Sequence, residues 1–509
     1  MCIKNVLEKH IFFSYFFVFS ILSYNSIIFA QQDYTDVRIF QSTNAQTENS
    51  IAINPKDPKN ILVCTNGTPA GVVNRFYSTD GGNTWNGIDH NPEGIVSSGD
   101  PVAFFDANGN AYCAYLGPNG PVGVYISKST DKGATWGNPV NAVSSTLFRD
   151  DKPHAAAGIS GNYSNNIYVA WTGHDDATQD SYKRVYFSRS TDGGSSFQTK
   201  QLLNGGRNIG ANLAIGPDDA IYVAFAILPS DNSSHIEGFI AFRKSTDGGQ
   251  SFQALPAFSI SGLNNYGDTG QQEFNDIKVN SFPSMGVDRS PSTRNSWVYI
   301  VYADKSTGDA DIYLRKSTNA GASWSNAIRV NNDASGTQQW FPSLSVDQIT
   351  GNIIISYYNM TVVGSPYTTK RYIAVSTDGG DSFSHYIASD ESFIPKPLGA
   401  GFNPAYMGDY YETAAYGSQA FACWSDDRSG VFQAYISKFT LPVAVTLDQK
   451  LEDNITRVGT IGRWVTNSFS PRIDPNTPIT VQGGPMKCFK GIKRCTRRKN
   501  TIVGMQIQM

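Results

Sequence analysis

The stretch Ser78-Thr79-Asp80-Gly81-Gly82-Asn83-Thr84-Trp85 decides the fold, because the chain repeats it. Further copies occupy residues 129–136, 190–197, 245–252, 317–324 and 376–383. The acidic positions of successive copies, with Asn319 replacing Asp in the fifth, lie 51, 61, 55, 72 and 59 residues apart. Such a spacing suits one four-stranded antiparallel unit with its loops. The chain is therefore predicted to be a repeat array.

Strand-like runs accompany every copy of the turn. In the second repeat a run of small and apolar residues (100–106) comes first, an apolar run (111–115) follows, and an alternating run (124–128) leads into the turn. Such β-branched and aromatic content is typical of strands. The apolar run occurs seven times, once more than the turn. We predict an all-β fold, a β-propeller of four-stranded antiparallel blades, with seven blades favoured and six as the alternative.

The repeated turn has structural tasks. Gly82 supplies the positive φ of a tight turn, the Asp80 carboxylate accepts hydrogen bonds from turn amides, and Trp85 packs beneath the hairpin. Residues 37–40 are predicted to complete the last blade, because ring closure removes open sheet edges. A functional site is then expected on the opposite face, where the innermost strands begin.

The N-terminus predicts export. Lys4 and Lys9 precede an apolar run that ends at Ala30, so residues 1–30 read as a cleaved secretory signal, with an uncleaved membrane anchor as the alternative. We expect a secreted, cell-surface or periplasmic protein with no membrane span after cleavage.

The rest of the chain divides by composition. We assign residues 31–442 to the propeller, 443–486 to a small β-rich C-terminal module, and 487–509 to a basic, disordered tail. The net charge of -3 argues against nucleic acid as a partner. Cys64, Cys113 and Cys423 fall in the apolar runs and are predicted to be buried residues rather than disulfide partners. The sequence sets no oligomeric state.

The turn pattern S-x-D-x-G-x-[TS]-[WF] resembles the Asp-box, or BNR repeat, of the sialidase-like β-propellers. The resemblance covers about residues 35–440. It implies a glycan or glycoprotein as partner, no cofactor, and possible hydrolysis of glycosidic bonds. Because Asp-boxes also occur in other glycoside hydrolases and in non-enzymatic propellers, the motif indicates the fold more strongly than the function.

The same resemblance implies roles for residues at the predicted site. Family sialidases bind the substrate carboxylate with three arginines, use a Tyr nucleophile paired with a Glu, and use an Asp as acid/base. The catalytic candidates in this sequence are Asp100, Asp151, Tyr410, Tyr411 and Glu412. The substrate-binding candidates, chosen by position alone, are Arg149, Arg207, Arg371, Arg428, His154 and Asp409.

The sequence also departs from the family. Residues 37–40 only echo its early arginine motif and lack the proline, and the later arginines stand in no family motif. Three functions therefore stay open: sialidase activity, hydrolysis of another glycan, and non-catalytic binding to carbohydrate or protein. Tyr163, Trp340 and Tyr406 are the stacking platforms expected for the binding alternative.

A metal is a further hypothesis. Asp100, Asp151 and Asp409 stand at the entries of three innermost strands, where oxygen ligands can collect Ca²⁺. The alternative is that these carboxylates accept hydrogen bonds from backbone at the strand ends. We therefore predict no resident metal, with Ca²⁺ as the minor hypothesis.

Overall fold

Seven four-stranded antiparallel sheets form the propeller in the computed structural model. The structure describes residues 35–441 except 69–70, 91–96, 98, 118–122, 144–149, 175–182, 229–237, 263–276, 334–335, 363–365 and 400–404, together with 497–498 and 501–502. The predicted seven-bladed, all-β fold is confirmed, and the six-bladed alternative is wrong.

Each blade is named by its place in the ring, and its strands are given from the innermost outwards. Blade 1 has β2 (Gln46–Ile53), β3 (Ile61–Gly67), β4 (Val72–Ser78) and β5 (Asn86–Ile88). Blade 2 has β6 (Gly99–Phe105), β7 (Ala111–Leu116), β8 (Val124–Ser129) and β9 (Val140–Asn141). Blade 3 has β10 (Asp150–Ala157), β11 (Ile167–His174), β12 (Lys183–Ser190) and β13 (Gln201–Asn204), with a 3₁₀ turn at Gly161–Tyr163.

The remaining blades follow the same order. Blade 4 has β14 (Asn208–Ile215), β15 (Ile221–Ile227), β16 (Gly238–Ser245) and β17 (Gln253–Ile260). Blade 5 has β18 (Ser284–Val287), β19 (Val298–Asp304), β20 (Asp311–Ser317) and β21 (Ile328–Arg329). Blade 6 has β22 (Gln339–Val346), β23 (Ile353–Val362), β24 (Thr368–Ser376) and β25 (Ser384–Ile387). Blade 7 has β26 (Thr413–Tyr416), β27 (Gln419–Asp426), β28 (Gln433–Thr440) and, from the N-terminal side, β1 (Asp36–Arg38).

The two ends of the propeller meet in blade 7. Strand β1 pairs antiparallel with β28, with Val37 opposite Ile436. The prediction that residues near 37–40 complete this blade is confirmed. The shared blade leaves the ring without an open edge at the junction of the two ends.

A second unit, Ala444–Met509, is separate from the propeller unit. Its described part is a pair of short antiparallel strands, β29 (Arg497–Arg498) and β30 (Thr501–Ile502). The predicted signal (1–30), the module (443–486) and most of the basic tail (487–509) lie outside the described residues. No helix in the described part of the chain is long and apolar enough to cross a membrane.

The repeated turns connect the third strand of a blade to the fourth. In the first copy the Asp80 carboxylate accepts hydrogen bonds from the amides of Asn83 (3.0 Å) and Thr84 (2.9 Å) and from the Thr84 hydroxyl (2.6 Å). In the fifth copy Asn319 accepts from the Ser323 amide (2.9 Å) in the same way. Gly82 adopts φ 84°. The structural tasks predicted for the turn are confirmed.

The basic residue before the turn links neighbouring blades. Lys128 Nζ of blade 2 donates to the carbonyl of Gly193 in the turn of blade 3 (3.4 Å), and Arg189 of blade 3 donates to that of Gly248 in blade 4 (2.6 Å). Lys316 reaches Gly379 (3.0 Å), and Lys438 of blade 7 reaches Gly81 of blade 1 (2.8 Å). The motif therefore joins blades as well as closing hairpins. We call the end of the propeller that carries the turns the lower face and the opposite end the upper face.

The core lies between blades. All described second strands are almost entirely buried, and each packs on the next blade through its apolar side chains. Cys64, Cys113 and Cys423 are buried thiols rather than disulfide partners, as the sequence predicted.

Candidate functional site

A bulge at the start of the innermost strands shapes the upper face. The pairing of the first two strands shifts register between Thr47 and Ser50 in blade 1, and at the equivalent point in blades 2, 3, 4 and 6. A residue inside each of these bulges has positive φ: Glu48 (53°), Asp100 (54°), Lys152 (46°), Gly210 (68°) and Phe341 (47°). Four of them are not glycine, and such a backbone costs free energy. Retained strain of this kind is common at functional sites.

A ring of side chains two residues further on joins the blades around the channel. Each side chain accepts a hydrogen bond from a backbone amide of the next blade. The pairs are Ser50 with Ala103, His154 with Leu213, Asn212 with Met285, Ser284 with Leu344, Ser343 with Thr413, and Glu412 with Ile51. Val102 holds the equivalent place in blade 2, where the side chain is apolar. These pairs establish which residues are equivalent in the seven blades.

The residues two positions before that ring surround the axis at the upper face, and we call them the mouth ring. They are, from blade 1 to blade 7, Glu48, Asp100, Lys152, Gly210, Phe282, Phe341 and Tyr410. Blades 1 to 3 contribute charged groups, and blades 5 to 7 contribute aromatic ones. The mouth is therefore polar on one side and apolar on the other.

Glu48 is the most enclosed acid of the mouth ring. It is fully buried and accepts hydrogen bonds from the Asn66 amide group, the Tyr406 hydroxyl and the Asp409 backbone amide, the last at 3.1 Å. Burial, followed by the charges of Asp100 and Asp409, raises its pKa well above the ordinary value. Glu48 thus keeps its proton to a higher pH than an exposed glutamate does.

Three aspartates influence one another at the same place. Burial and the neighbouring Asp151 charge raise the pKa of Asp100 to about 6. Burial, Asp100 and Asp151 raise the pKa of the half-buried Asp409 to about 7. Asn280 donates to the Asp409 carboxylate (3.2 Å). The structure thus brings together three of the acids that the sequence singled out.

Cations lie among these acids. Lys183 forms an ion pair with Asp151 (3.2 Å), whose side chain is 38% exposed. Lys152 and Lys278 both lower the pKa of Asp409 against the effect of burial. The Lys152 amide donates to the Asp100 carboxylate (2.8 Å). The mouth is therefore a mixed cluster of acids and lysines.

The two tyrosine candidates have their hydroxyls engaged. Tyr410 donates to the carbonyl of Pro101 (2.8 Å), and the Lys152 Nζ lies 3.2 Å from the centre of its ring. Tyr411 is buried, and its hydroxyl contacts the Thr47 hydroxyl (2.7 Å) and the Met407 carbonyl. Only Tyr410 thus belongs to the mouth ring, and Tyr411 lies in the core behind it.

His154 and Glu412 face each other below the mouth ring. The His154 Nε2 lies 3.8 Å from a Glu412 oxygen, and the other Glu412 oxygen accepts from the Ser50 hydroxyl (2.5 Å). Burial and the Lys152 charge lower the pKa of His154 to about 3, and burial raises the pKa of Glu412. Both residues hold blades together, a structural task that the sequence reading did not assign to them.

Two of the arginine candidates, Arg371 and Arg428, are engaged away from the mouth. Arg371 is fully buried and donates to the carbonyls of Phe341 (3.2 Å) and Tyr411 (2.6 Å) from behind. Arg428 pairs with Asp36, Asp390 and Asp426 at the outer strands of blades 6 and 7. Arg207 is half-buried just before β14. Arg149 lies outside the described residues.

The sequence reading missed Glu48, Lys152 and Asn280. Glu48 and Lys152 carried a usable signal, because each stands at the same offset from its innermost strand as Asp100 does. Aligning the repeats on that strand would have found them. Asn280 stands between a segment outside the described residues and β18, and no pattern marks it.

A small cavity lies on the axis beside the mouth ring. It has a volume of about 30 Å³, and its polar lining includes Lys152, Asn212, Asn280, Asp409 and Glu412. That volume suits one or two water molecules rather than a sugar. A ligand at this site must therefore lie above the mouth ring.

The metal hypothesis stays open, whereas one of the three predicted stacking platforms is contradicted. Among the described residues, no group of three His, Cys, Asp or Glu side chains is arranged to hold a metal ion. The Ca²⁺ hypothesis at Asp100, Asp151 and Asp409 stays a prediction. Trp340 is fully buried, so its assignment as a stacking platform is wrong. Tyr406 is half-buried and bonded to Glu48.

The chain is thus a seven-bladed β-propeller with a carboxyl-rich mouth at its upper face. No family model matches it, and no curated protein matches it. Among solved structures it is similar to a protein of unknown function from Dyadobacter fermentans, with 14% identity, 69% of this chain and 96% of that chain covered, and a TM-score of 0.43. It is also similar to an α-L-arabinanase of Penicillium chrysogenum complexed with arabinobiose, with 13% identity, 67% of this chain and 97% of that chain covered, and a TM-score of 0.44.

A Hadza microbial sialidase shows a similar level of likeness, with 11% identity, 75% of this chain and 73% of that chain covered, and a TM-score of 0.43. Similarities of this size carry no information about function. The function has to be inferred from the side chains at the mouth.

Proposed function

We propose that this chain is an exported, sialidase-like propeller that acts on a glycan above its mouth ring and cleaves a glycosidic bond with two carboxyl groups. One observation carries the proposal: three carboxyl groups meet at the mouth of the channel, where the charge of Asp151 raises the pKa of Asp100, and the charges of Asp100 and Asp151 raise that of Asp409. Pairs of carboxyl groups with separated pKa values are the usual means of glycoside hydrolysis.

Asp409 suits the general acid. Its pKa of about 7 keeps a proton available near neutral pH, and Asn280 holds the carboxyl group in place. Asp151 suits the second group, because its side chain is accessible and is paired with Lys183. Asp409 would give its proton to the leaving oxygen as the glycosidic bond breaks. Water would add to the anomeric carbon and lose a proton to Asp151.

The substrate is inferred to be a glycan without a carboxylate. A sialoside needs cationic groups that grip its carboxylate in a bidentate manner, as arginines do. Arg371 and Arg428 face other partners, and the mouth ring itself carries two acids and one lysine. The repeated turn supports a sialidase-like family, whereas the charge at the mouth favours a neutral sugar over sialic acid.

Non-catalytic glycan binding is the second candidate. The cavity of about 30 Å³ is far smaller than the roughly 300–1,000 Å³ of ligand pockets. The Tyr410 side chain is hydrogen-bonded to the Pro101 carbonyl and packed against Lys152, and it forms part of the floor of the site. A sugar resting on such a floor would be bound without deep enclosure.

Sugar release from a panel of neutral polysaccharides and chromogenic glycosides, with a sialoside included, tests the proposal. We expect turnover of a neutral substrate that falls at least about a hundredfold in Asp409→Asn and Asp151→Asn. Asp218→Asn, an exposed change on the lower face, is the matched control. Binding without turnover would support the second candidate. Cleavage of the sialoside alone would overturn the substrate class.

Export is part of the proposal and has its own test. Expression with the native N-terminus, followed by N-terminal sequencing of the exported protein, should give a chain beginning at Gln31. A protein that stays in the membrane fraction with residues 1–30 attached would support the anchor alternative. Metal analysis of the same preparation tests the Ca²⁺ hypothesis.

A further inference from the structure

We propose that Lys152 is a positioning residue of the mouth: held across the axis by Tyr410, its ammonium group sets how many of the surrounding carboxyl groups keep a proton, the general acid Asp409 among them. The inference rests on the proposed function, because it concerns the carboxyl group that two-carboxyl hydrolysis would use as its acid.

The backbone directs Lys152 towards the axis. It has φ 46° within the bulge of β10, where an ordinary strand residue would have negative φ. Of the seven equivalent positions in the mouth ring, this one alone carries a cation, while blades 1 and 2 carry Glu48 and Asp100. The strained conformation thus places a positive charge in the same ring of residues as two acids.

An aromatic ring fixes the ammonium group. Lys152 is buried, and its Nζ lies 3.2 Å from the centre of the Tyr410 ring. The Tyr410 ring is in turn held by the bond from its hydroxyl to Pro101 (2.8 Å). Cation–π contacts are strongest when they are removed from water, as here. Lys152 of blade 3 is therefore held in place by groups from blades 7 and 2.

From this position Lys152 acts on several acids at once. Its charge lowers the pKa of Glu48, Asp100, Asp409 and Glu412 against the effect of burial, which raises each of them. One ammonium group faces four carboxyl groups, of which Glu48 and Asp100 are buried and the other two are half-buried, and their like charges repel. Part of the cluster keeps its protons as a result, and those carboxyl groups can serve as acids.

Other charged groups face the same cluster and belong in the balance. They are Asp151, Lys183, Lys278 and His154. Lys183 is paired with Asp151, and His154 is neutral near pH 7, because burial lowers its pKa to about 3. Lys278 also lowers the pKa of Asp409. Lys152 is thus the cation that connects the acids of blades 1, 2 and 7.

The test compares Lys152→Met, which removes the charge, with Lys152→Arg, which keeps it. We expect the alkaline limb of the kcat/KM profile, which the general acid Asp409 sets, to move up by about one pH unit or more in Lys152→Met, because Asp409 loses its cation. Lys152→Arg should keep the limb within about half a unit. Tyr410→Leu, which frees the ammonium group but retains it, should shift the limb in the same direction by less.

A second measurement does not need turnover. Infrared titration of the carboxylic C=O band should show more protonated carboxyl at pH 7 in Lys152→Met than in wild type, and Asp100→Asn and Asp409→Asn assign the band. Superimposable titrations of wild type, Lys152→Met and Lys152→Arg would overturn the inference. If no variant and no wild-type protein cleaves any glycan but the band shifts, the proposed function fails and the role of Lys152 stands. If Lys152→Met does not fold, Tyr410→Leu and Lys152→Gln take its place.

Discussion

His154 of blade 3 and Glu412 of blade 7 face each other across the central channel, with the His154 Nε2 3.8 Å from the Glu412 Oε1. The other ring nitrogen, Nδ1, accepts the Leu213 amide (3.1 Å), so the proton of the neutral ring is on Nε2. Protonating Nδ1 would break the link between blades 3 and 4. The same histidine therefore faces an acid across the channel and joins two neighbouring blades.

Substitutions of His154 should separate its contact with Glu412 from its link between blades 3 and 4. Asn212 already makes the equivalent link in blade 4 (3.1 Å to the Met285 amide), so His154→Asn should retain the stability of wild type near pH 7. His154→Leu leaves the Leu213 amide without its acceptor and should lower the free energy of unfolding by about 1–3 kcal/mol. Urea denaturation at pH 7 measures both.

The pH dependence has a definite sign. Since burial and Lys152 lower the pKa of His154 to about 3 in the folded protein, the unfolded chain binds the extra proton below its ordinary pKa of 6.5. Stability from this group is present above pH 6.5 and is lost as the pH falls towards 3, by up to about 1.4 kcal/mol per pH unit. His154→Asn should remove that contribution. An acid transition identical to wild type would contradict the prediction.

Asp100→Asn should stabilise the protein at alkaline pH. Burial and Asp151 raise the pKa of Asp100 from 3.8 to about 6, so its contribution is favourable at low pH and is lost as the pH rises through 6. The neutral side-chain amide of Asp100→Asn can still accept the hydrogen bond from the Lys152 backbone amide. We expect a gain of up to about 3 kcal/mol at pH 8 and little change at pH 4. Thermal melting of Asp100→Asn and Asp218→Asn at both pH values checks this.

Arg371→Met should destabilise the fold. The guanidinium group supports the bulge of blade 6 and the segment before β26 of blade 7 through the carbonyls of Phe341 and Tyr411, and it donates to the Ser356 hydroxyl (2.8 Å). Leaving buried carbonyls without donors should cost about 2–5 kcal/mol. Arg371→Lys keeps the charge but lacks the planar guanidinium group, so it should retain only part of the stability that Arg371→Met loses. An unchanged melting temperature with a loss of glycan affinity would instead support the substrate-binding role predicted from the sequence.

Asp247→Asn and Asp247→Ala, two substitutions in the repeated turn, should differ in their effect on the free energy of unfolding. Burial opposes ionisation, but hydrogen bonds from Ser251 and Ser245 outweigh it and lower the pKa of Asp247 to about 2. Asn319 shows that an amide can make the corresponding bonds. We expect Asp247→Asn to change the unfolding free energy by less than about 0.5 kcal/mol and Asp247→Ala to lower it by about 1–2 kcal/mol. Equal losses in the two variants would contradict this account.

The repeats made the fold predictable, and the bulges limited what could be predicted of the site. Turn spacing and strand pattern favoured seven blades, identified the closing strand and placed the candidate site on the upper face. Periodicity could place Asp100 at a strand entry, but it could not show that Glu48 and Lys152 share its left-handed backbone, because that conformation leaves no mark on hydropathy. The arginines were chosen by loop position, which does not determine side-chain direction. Arg371 consequently belongs to the core and Arg428 to the outer strands.

The contact from the basic residue of one blade to the turn of the next has a consequence for the history of the chain. Val375 replaces the basic residue in blade 6, and blade 7, which follows, has no such turn; in blade 1 Tyr77 stands there, and Asn60 instead donates to the Lys132 carbonyl of the next turn (2.9 Å). At the junction of blades 6 and 7 donor and acceptor are thus both absent, whereas at the junction of blades 1 and 2 a different donor serves the turn. The unit that can be duplicated, deleted or grafted without loss is therefore a segment that crosses a blade boundary. A copied single blade would carry the donor of one inter-blade contact and the acceptor of another, each without its partner.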